Sequence, residues 1–137
     1  MMRIGRFILL AAALGLACAA PADAQFTWSV QRAAQLAGEQ IYKDHCIACH
    51  RLGKGVEFGP SLAGIVGRKA GALPNFPYSG ALKDSGLVWT EDNLRKWISD
   101  GAALVPNTLM PHVSIKDPAE QFYLITYLKT LKAPAAR

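Results

Sequence analysis

Two thiols and an imidazole lie within five consecutive residues, Cys46-Ile47-Ala48-Cys49-His50. The C-x-x-C-H spacing is the attachment signature for a c-type haem. Two thiols on one helical turn can add to the two vinyl groups on neighbouring porphyrin edges, and the next residue projects its imidazole under the iron. The segment therefore predicts one haem, covalently attached through Cys46 and Cys49, with His50 as an iron ligand.

Three other interpretations of these cysteines fit the rest of the sequence less well. A thioredoxin-like redox pair needs a β-α-β context, which the sequence lacks. A structural zinc site needs a second pair of ligands at suitable spacing, and the one other cysteine is Cys18, in the N-terminal segment. A plain disulfide would leave His50 without a role.

A second axial ligand is indicated by Met110, which is the only methionine after residue 24 and lies between Pro106 and Pro111. A thioether is a soft, uncharged ligand, and His/Met ligation raises the reduction potential relative to harder ligand pairs. The flanking prolines favour a firmly held ligand loop over a methionine that only fills the core. His112 could approach the haem edge and is a competing ligand. His45 directly precedes the first attachment cysteine, from where reaching the iron is sterically awkward.

The composition is that of one globular domain and excludes several functional classes. Of the 137 residues, 51% are hydrophobic and 18% are charged, so the chain is neither disordered nor collagen-like. The 15 basic and 10 acidic residues give a net charge of +5. Because this excess is mild and includes no run of five basic residues, we expect no nucleic-acid partner.

Residues 1–24 are predicted to be an export signal rather than part of the fold. Two arginines lie among the first six residues, residues 7–20 are apolar but too short to span a membrane, and residues 22–24 fit the small-x-small cleavage pattern. The predicted mature domain is therefore residues 25–137, in the periplasm. Two alternatives stay open: the segment could remain uncleaved as a membrane anchor, or Cys18 could be lipidated.

Three segments are predicted to be helices, and no convincing strand pattern is present. The first spans about Val30 to Asp44. The second begins after the N-cap residue Thr90 and ends at Gly101. The third begins after Asp117, with a proline at its first helical position. The predicted fold class is all-α.

The segment between the first two predicted helices is unusually long for a compact domain. Residues 52–88 contain eight glycines and three prolines. A short helix around Ala81 to Lys83 can interrupt this segment, but most of it must be irregular. A long irregular loop needs something to pack around, and a buried haem would supply that core.

From about Gly38 to Leu131, the sequence resembles class I cytochromes c, the soluble monohaem electron carriers of bacteria and mitochondria. Beyond the attachment segment, the resemblance is carried by an ordered series of motifs: Gly59-Pro60-Ser61-Leu62, Gly64, Gly67-Arg68-Lys69-Ala70-Gly71, Tyr78-Ser79, Trp89-Thr90, Pro106, Thr108-Leu109-Met110 and Leu124-Ile125-Thr126-Tyr127-Leu128. The resemblance implies three main helices and long loops wrapped around one covalently bound haem.

The resemblance also implies roles for individual residues. The carbonyl of Pro60 would accept the outer hydrogen bond of His50, which fixes that ring and its basicity. Gly38 would let the first and last helices cross closely beside Tyr127. Three residues would reach the haem propionates: Arg68, Tyr78 and Trp89. For two of these residues the alternatives are simpler: Arg68 could be solvated, and Trp89 could only fill the core.

The function implied is one-electron transfer by a carrier that is not an enzyme and needs no small-molecule substrate. Its partners would be an electron donor and an acceptor, for example a membrane oxidase, a reaction centre or a periplasmic dehydrogenase. One alternative is a dedicated cytochrome c subunit of a periplasmic dehydrogenase complex. A further alternative is a haem enzyme or gas-binding protein with an open sixth iron position.

The sequence departs from the family pattern where redox partners dock. Leu109 occupies the position before the methionine ligand where a lysine is usual, and Ala102 and Ala103 lie where many carriers have lysines. His45 also replaces a common lysine, and His112 replaces a common aromatic residue. Because the lysine ring that meets acidic partners is largely missing, we expect docking by apolar contact more than by charge.

Overall fold

The structure is a computed structural model that describes residues 22–51, 58–111 and 113–133. Four helices follow one another along the chain: α1 (Ala22–His45), α2 (Gly80–Asp84), α3 (Glu91–Leu104) and α4 (Pro118–Leu128). Within these residues the one β contact is an isolated antiparallel bridge between Lys69 and Val88. The predicted all-α class, with three main helices and the short helix near residue 82, is confirmed.

Several predicted features lie outside the described residues. These are most of the export segment, including Cys18, and the competing ligand His112. Among the helices that the structure does describe, none is long and apolar enough to cross a membrane.

α1 begins well before the predicted start at Val30 and includes residues 22–24 of the predicted cleavage pattern. No proline or glycine occurs between Pro21 and Gly38, and alanine and glutamine, which favour helices, are frequent there. Residues 25–33 are all exposed, so this part of the helix rests on local propensity and not on tertiary packing. The predicted start is too late because the apolar pattern begins only where α1 packs against the rest of the fold.

The core forms where α1 crosses α4. Gly38 is buried at the crossing, and Tyr42, one turn later, is only 1% exposed. A Cβ atom at Gly38 would collide with the backbone carbonyl of Tyr123 and would lie 2.8 Å from the Cβ atom of Tyr127. Since only glycine allows the helices to approach this closely, the predicted close crossing is confirmed.

α3 starts as predicted, and its regular helix is interrupted close to the predicted end at Gly101, although one further turn follows. The hydroxyl of Thr90 accepts a hydrogen bond from the amide three residues later, at 3.1 Å. The backbone leaves helical geometry at Asp100 (φ −159°, ψ 91°), yet the helix resumes and continues to Leu104. The Asp100 carboxylate accepts from the amide of Ala103 at 3.0 Å and so caps this last turn. Gly101 is therefore not a terminator, and it lacks the positive φ of a terminating glycine.

α4 begins as the sequence predicts. The Asp117 carboxylate accepts from the amide of Ala119 at 2.7 Å, and Pro118 is the first helical residue. The residues of α4 that face α1 and the core are almost fully buried, above all Leu124 and Ile125. Capping and the apolar face together fix where this helix lies.

The irregular chain between α1 and α3 is held by backbone hydrogen bonds to the residues just before α3. The amide of Gly67 donates to the carbonyl of Trp89, and the amide of Trp89 donates to the carbonyl of Arg68, both at 2.9 Å. Ala70 donates to Leu87 at 2.8 Å. These bonds bring Arg68 and Trp89, two of the predicted propionate residues, next to each other.

Candidate haem-attachment site

The attachment segment continues directly from the end of α1 as one tight turn. The amide of Cys46 donates to the carbonyl of Tyr42 at 2.9 Å, and the amide of His50 donates to the carbonyl of Cys46 at 2.8 Å. The thiols of Cys46 and Cys49 are not bonded to each other, and Cys46 is half-buried whereas Cys49 is exposed. Two free thiols on one turn, followed by an imidazole, form the arrangement that attachment of a haem requires.

The environment of Cys46 is unlike that of a redox-active cysteine pair. Burial, with a smaller contribution from Cys49, raises the pKa of the Cys46 thiol to about 11. Reactive cysteines of the thioredoxin type have lowered pKa values, because the thiolate is the nucleophile. The raised pKa therefore argues against the redox-pair interpretation.

The His50 side chain is buried and fixed at one ring nitrogen. It is 7% exposed, and its Nδ1 atom lies 2.8 Å from the carbonyl oxygen of Pro60. Burial lowers the pKa of His50, and the hydrogen bond to Pro60 opposes this shift only in part. A neutral ring that donates through Nδ1 keeps a lone pair on Nε2, which is the form that binds a metal.

Gly59 makes the approach of Pro60 to His50 possible. A Cβ atom at Gly59 would lie 2.8 Å from both Cε1 and Nδ1 of His50, and 3.0 Å from the carbonyl oxygen of Cys49. Any side chain at this position would push the imidazole away. Sequence reasoning assigned Gly59 only to a motif and did not assign it this role, since the contact joins residues that are apart in the chain.

Met110 lies at the core side of its loop. Its side chain is partly buried and packs against the same hydrophobic core as Cys46. The loop before it turns through Asn107, whose φ of 64° is in the left-handed region that asparagine tolerates better than most residues. The preceding residue, Leu109, is 78% exposed. The loop therefore directs the side chain of Leu109 outward and that of Met110 inward. His45, the second histidine considered as an iron ligand, is exposed.

Arg68 is a half-buried cation that is held by backbone carbonyls. Its guanidinium donates to the carbonyls of Ala63 (3.0 Å) and Ser61 (2.9 Å). Burial lowers its pKa, but a guanidinium stays charged at neutral pH. None of the four ion pairs between described residues involves Arg68. Its remaining N–H groups suit an anionic group such as a haem propionate.

Tyr78 and Trp89 are the other two predicted propionate residues. Tyr78 is half-buried and packs edge-on against Phe76, with ring centroids 4.7 Å apart. Burial raises the pKa of Tyr78, and the positive charge of Arg68 partly opposes this. Trp89 is buried and packs edge-on against Trp97 at 5.1 Å. The electrostatic coupling of Tyr78 to Arg68 and the backbone bonds of Trp89 place all three predicted residues in one region.

Sequence reasoning missed the role of Tyr42 at this site. Tyr42 lies within the first predicted helix, and the sequence alone assigned it no role at the attachment segment. In the structure its hydroxyl donates to the backbone carbonyl of His50, and burial raises its pKa to about 12. The signal in the sequence was its position one helical turn before Cys46, which puts its side chain beside the attachment segment.

The residues present fit a c-type haem. Two free thiols are available for thioether bonds, a buried imidazole with a lowered pKa is available for the iron, and a guanidinium that pairs with no carboxylate of the described residues is available for a propionate. A cluster of three or more His, Cys, Asp or Glu side chains, as a structural zinc site would use, does not occur in the described ranges.

Comparison with known proteins agrees with this geometry. The family model described as Cytochrome c matches residues 35–132. Cytochrome c2 of Blastochloris viridis is 39% identical over 102 residues, which is 73% of this chain and 80% of that protein. Cytochrome c2 of Rhodopila globiformis is 43% identical over 96 residues, which is 69% of this chain and 91% of that protein.

A solved structure is similar as well. Cytochrome cH from Methylobacterium extorquens superposes with a TM-score of 0.66 at 40% sequence identity, covering 70% of this chain and 97% of that chain. This chain belongs to the cytochrome c family, as a class I monohaem cytochrome c that binds one haem c covalently through Cys46 and Cys49 and serves as a haem-based electron carrier.

Proposed function

We propose that this cytochrome carries single electrons between redox proteins of a periplasmic chain, with its iron held between His50 and Met110. The observation that carries this proposal is the geometry of the His50 ring, which is buried and fixed through Nδ1 on the carbonyl of Pro60. Burial also lowers the pKa of His50, which favours the neutral ring. Such a ring has one nitrogen left for a metal, and that nitrogen carries a lone pair. The hydrogen bond at Nδ1 also orients the ring and increases the basicity of Nε2.

Met110 is the best candidate for the opposite ligand. It is a soft thioether, partly buried against the core that also contacts Cys46. His45 is exposed at the end of α1 and directly precedes the attachment cysteine. Ligation by Met110 would close the sixth iron position, as a pure electron carrier needs, and would raise the reduction potential.

When bound, a haem would supply an iron that accepts one electron from a donor protein and passes it to an acceptor protein. The residues of this chain keep its surroundings fixed while the charge changes. Tyr42 and Pro60 hold the backbone and the ring of His50, and the almost fully buried Leu124 and Ile125 exclude water from the adjacent core. Polar groups that are already in place need not reorganise when the charge changes by one unit.

Arg68 would balance the negative charge at the haem periphery. Its guanidinium is desolvated but remains charged, and its two hydrogen bonds to carbonyls leave further N–H groups available. Tyr78 and Trp89 would add neutral donors in the same region. Burying a propionate that is paired in this way costs much less free energy than burying one without a partner.

We place the protein in the periplasm on the basis of its N-terminus. The charged start, the short apolar run and the cleavage pattern of residues 22–24 support export and removal of residues 1–24, which leaves the cytochrome domain at residues 25–137. An uncleaved anchor or a lipidated Cys18 would keep the same domain at the membrane surface. N-terminal sequencing and the mass of the purified protein distinguish these three outcomes.

The docking surface should be apolar. Leu109, next to the proposed ligand, is 78% exposed, and Phe58, next to the glycine that contacts His50, is 76% exposed. Leu109 directly precedes Met110 in the sequence, and Phe58 directly precedes Gly59. Exposed apolar side chains at these positions favour a redox partner that also presents an apolar surface.

The same exposed side chains would suit permanent attachment to a larger protein. A dedicated cytochrome c subunit of a periplasmic dehydrogenase complex is therefore the second candidate. Copurification with a large oxidoreductase from the native host would favour that role, and isolation as a free protein would favour the mobile carrier.

Optical spectra of the reduced holoprotein, with and without carbon monoxide, test the proposed ligation. We expect the untreated reduced protein to show no spectral change with carbon monoxide, because Met110 occupies the sixth position. A Met110→Leu variant keeps the size of the side chain but lacks sulfur, and it should bind carbon monoxide. Binding by the unmodified protein would instead indicate a haem enzyme or gas-binding protein with an open position.

A further inference from the structure

One tyrosine contacts both ends of the attachment segment. The backbone carbonyl of Tyr42 accepts hydrogen bonds from the amides of Cys46 (2.9 Å) and Ile47 (3.0 Å), at the start of the segment. The hydroxyl of the same residue donates to the backbone carbonyl of His50, at its end. A single residue of α1 therefore bridges the segment from its first cysteine to its histidine.

Tyr42 is itself held rigidly. Its side chain is 1% exposed and packs against Tyr127 of α4, with ring centroids 5.4 Å apart and planes tilted by 49°. The close helix crossing at Gly38, one turn earlier, fixes α1 against α4. A ring confined on all sides has one orientation, so its hydroxyl is a donor at a fixed point.

Packing alone does not explain a hydroxyl at this position. A phenylalanine would fill the same space, and a buried hydroxyl is costly unless it is hydrogen-bonded. The partner that satisfies the Tyr42 hydroxyl is a backbone atom of the predicted iron ligand. The pair therefore links the helix crossing to the place where the iron would be bound.

We propose that Tyr42 is a positioning residue that holds His50 as an iron ligand through its backbone carbonyl. The ring of His50 is fixed at Nδ1 by Pro60, and its amide is fixed by the carbonyl of Cys46, but neither bond holds the carbonyl group of His50 itself. With the carbonyl also fixed by Tyr42, both the direction of the side chain and the plane of the ring are set. This inference rests on the proposed ligation of the iron by His50.

The test compares two holoproteins that each lose one hydroxyl from the same aromatic pair, Tyr42→Phe and Tyr127→Phe. Proton NMR of the oxidised protein reports the orientation of the axial imidazole through the hyperfine shifts of the haem methyl groups. Hydrogen exchange of the His50 ring N–H reports how often its bond to Pro60 opens. The amide of Leu124 in the same samples reports opening of the core as a whole.

We expect Tyr42→Phe to shift the haem methyl resonances and to raise exchange at His50 roughly fivefold relative to Leu124, the factor that a typical net hydrogen bond corresponds to. Tyr127→Phe should leave both readouts as in the unmodified protein. Equal acceleration at His50 and Leu124 would show a general loss of stability and would overturn the proposal, as would unchanged methyl shifts in Tyr42→Phe.

The same spectra separate this inference from the function on which it depends. If the unmodified holoprotein lacks the resonances of an iron-bound imidazole, ligation by His50 is wrong and the inference fails with it. If those resonances are present and Tyr42→Phe behaves like Tyr127→Phe, His50 remains the ligand and only the positioning role of Tyr42 is rejected.

Discussion

The backbone amide of Ile115 donates to the carbonyl of Ile98 at 2.8 Å, which ties the segment after Met110 back onto α3. The carbonyl of Ile98 lies two residues before Asp100, where the backbone leaves helical geometry. Carbonyls at such a break lose the regular helical pattern and are available to other donors. The break in α3 therefore anchors the far end of the loop that carries Met110.

A second hydrogen bond strengthens this anchor. The hydroxyl of Ser114 donates to the carbonyl of Ser99 at 2.9 Å, directly beside the first bond. At the near end of the loop, the amide of Val105 donates to the carbonyl of Gly101 at 2.8 Å. Both ends of the loop are thus attached close to Asp100. A change in the backbone at Asp100 should therefore alter the position of Met110.

Asp100→Ala should weaken the loop that holds Met110. Loss of the cap on Ala103 should lower the free energy of unfolding by about 0.5–2 kcal/mol. The sulfur-to-iron charge-transfer band of the oxidised protein should disappear at a lower temperature, since the loop loosens before the rest of the protein. Asp92→Ala is the control, because Asp92 is an exposed partner of Lys96 in the same helix. Loss of the band at the same temperature in both variants would contradict this account.

Gly59→Ala should disturb His50. The added Cβ atom would lie 2.8 Å from two atoms of the imidazole, so the ring must move away from Pro60. We expect a lower yield of holoprotein and a changed reduction potential, measured by redox titration.

Gly86→Ala is the matched control for Gly59→Ala. Gly86 has a positive φ of 66° and nothing within 4 Å of the added atom. This variant should lose about 1–2 kcal/mol of stability through backbone strain and keep its reduction potential. A reduction potential in Gly59→Ala that equals that of the unmodified protein would refute the role of Gly59.

Gly38→Ala should separate α1 from α4. The added atom meets the backbone carbonyl of Tyr123, which cannot move aside as a flexible side chain could. We expect a loss of about 3 kcal/mol in the free energy of unfolding by urea. Ala33→Val adds bulk at an exposed position of the same helix and should cost less than about 0.7 kcal/mol. Similar losses in both variants would mean that the crossing tolerates a shift.

Electron transfer to the native partner should depend weakly on ionic strength. Exposed charge-steered pairs lose rate steeply as salt screens them, whereas apolar contacts do not. Leu109→Ser should slow stopped-flow electron transfer roughly tenfold at all salt concentrations, because it removes apolar area at the proposed interface. Leu36→Ser is the control, since Leu36 is also exposed but lies on α1. A steep fall in rate between low and physiological salt would reject apolar docking.

The methionine ligand should resist replacement at high pH. In this family a nearby lysine can replace the methionine, but no lysine lies between Lys96 and Lys116 in this sequence. The charge-transfer band of the oxidised protein should therefore persist at alkaline pH, and should persist further in His112→Ala, which lacks the nearest nitrogen competitor. Earlier loss of the band in His112→Ala than in the unmodified protein would show that this explanation is wrong.

The attachment segment and the helix starts could be predicted from the sequence because their interactions are local. The two cysteines and His50 act together within one turn, so their spacing alone indicates their chemistry. Thr90 and Asp117 cap helices through amides two or three residues later, and such contacts need no knowledge of the rest of the chain.

The sequence by itself therefore determined the cofactor, the all-α class and the order of the main helices, and its family resemblance implied the bond between Pro60 and His50. Only the tertiary structure decided that Gly59 packs against the His50 ring, that Tyr42 holds the His50 backbone, and that α3 continues past Asp100. These features depend on contacts between residues that are distant in the chain, or on one backbone angle that several contacts fix together. Local propensity predicts neither the long-range contacts nor the backbone angle, because it depends only on a few neighbouring residues.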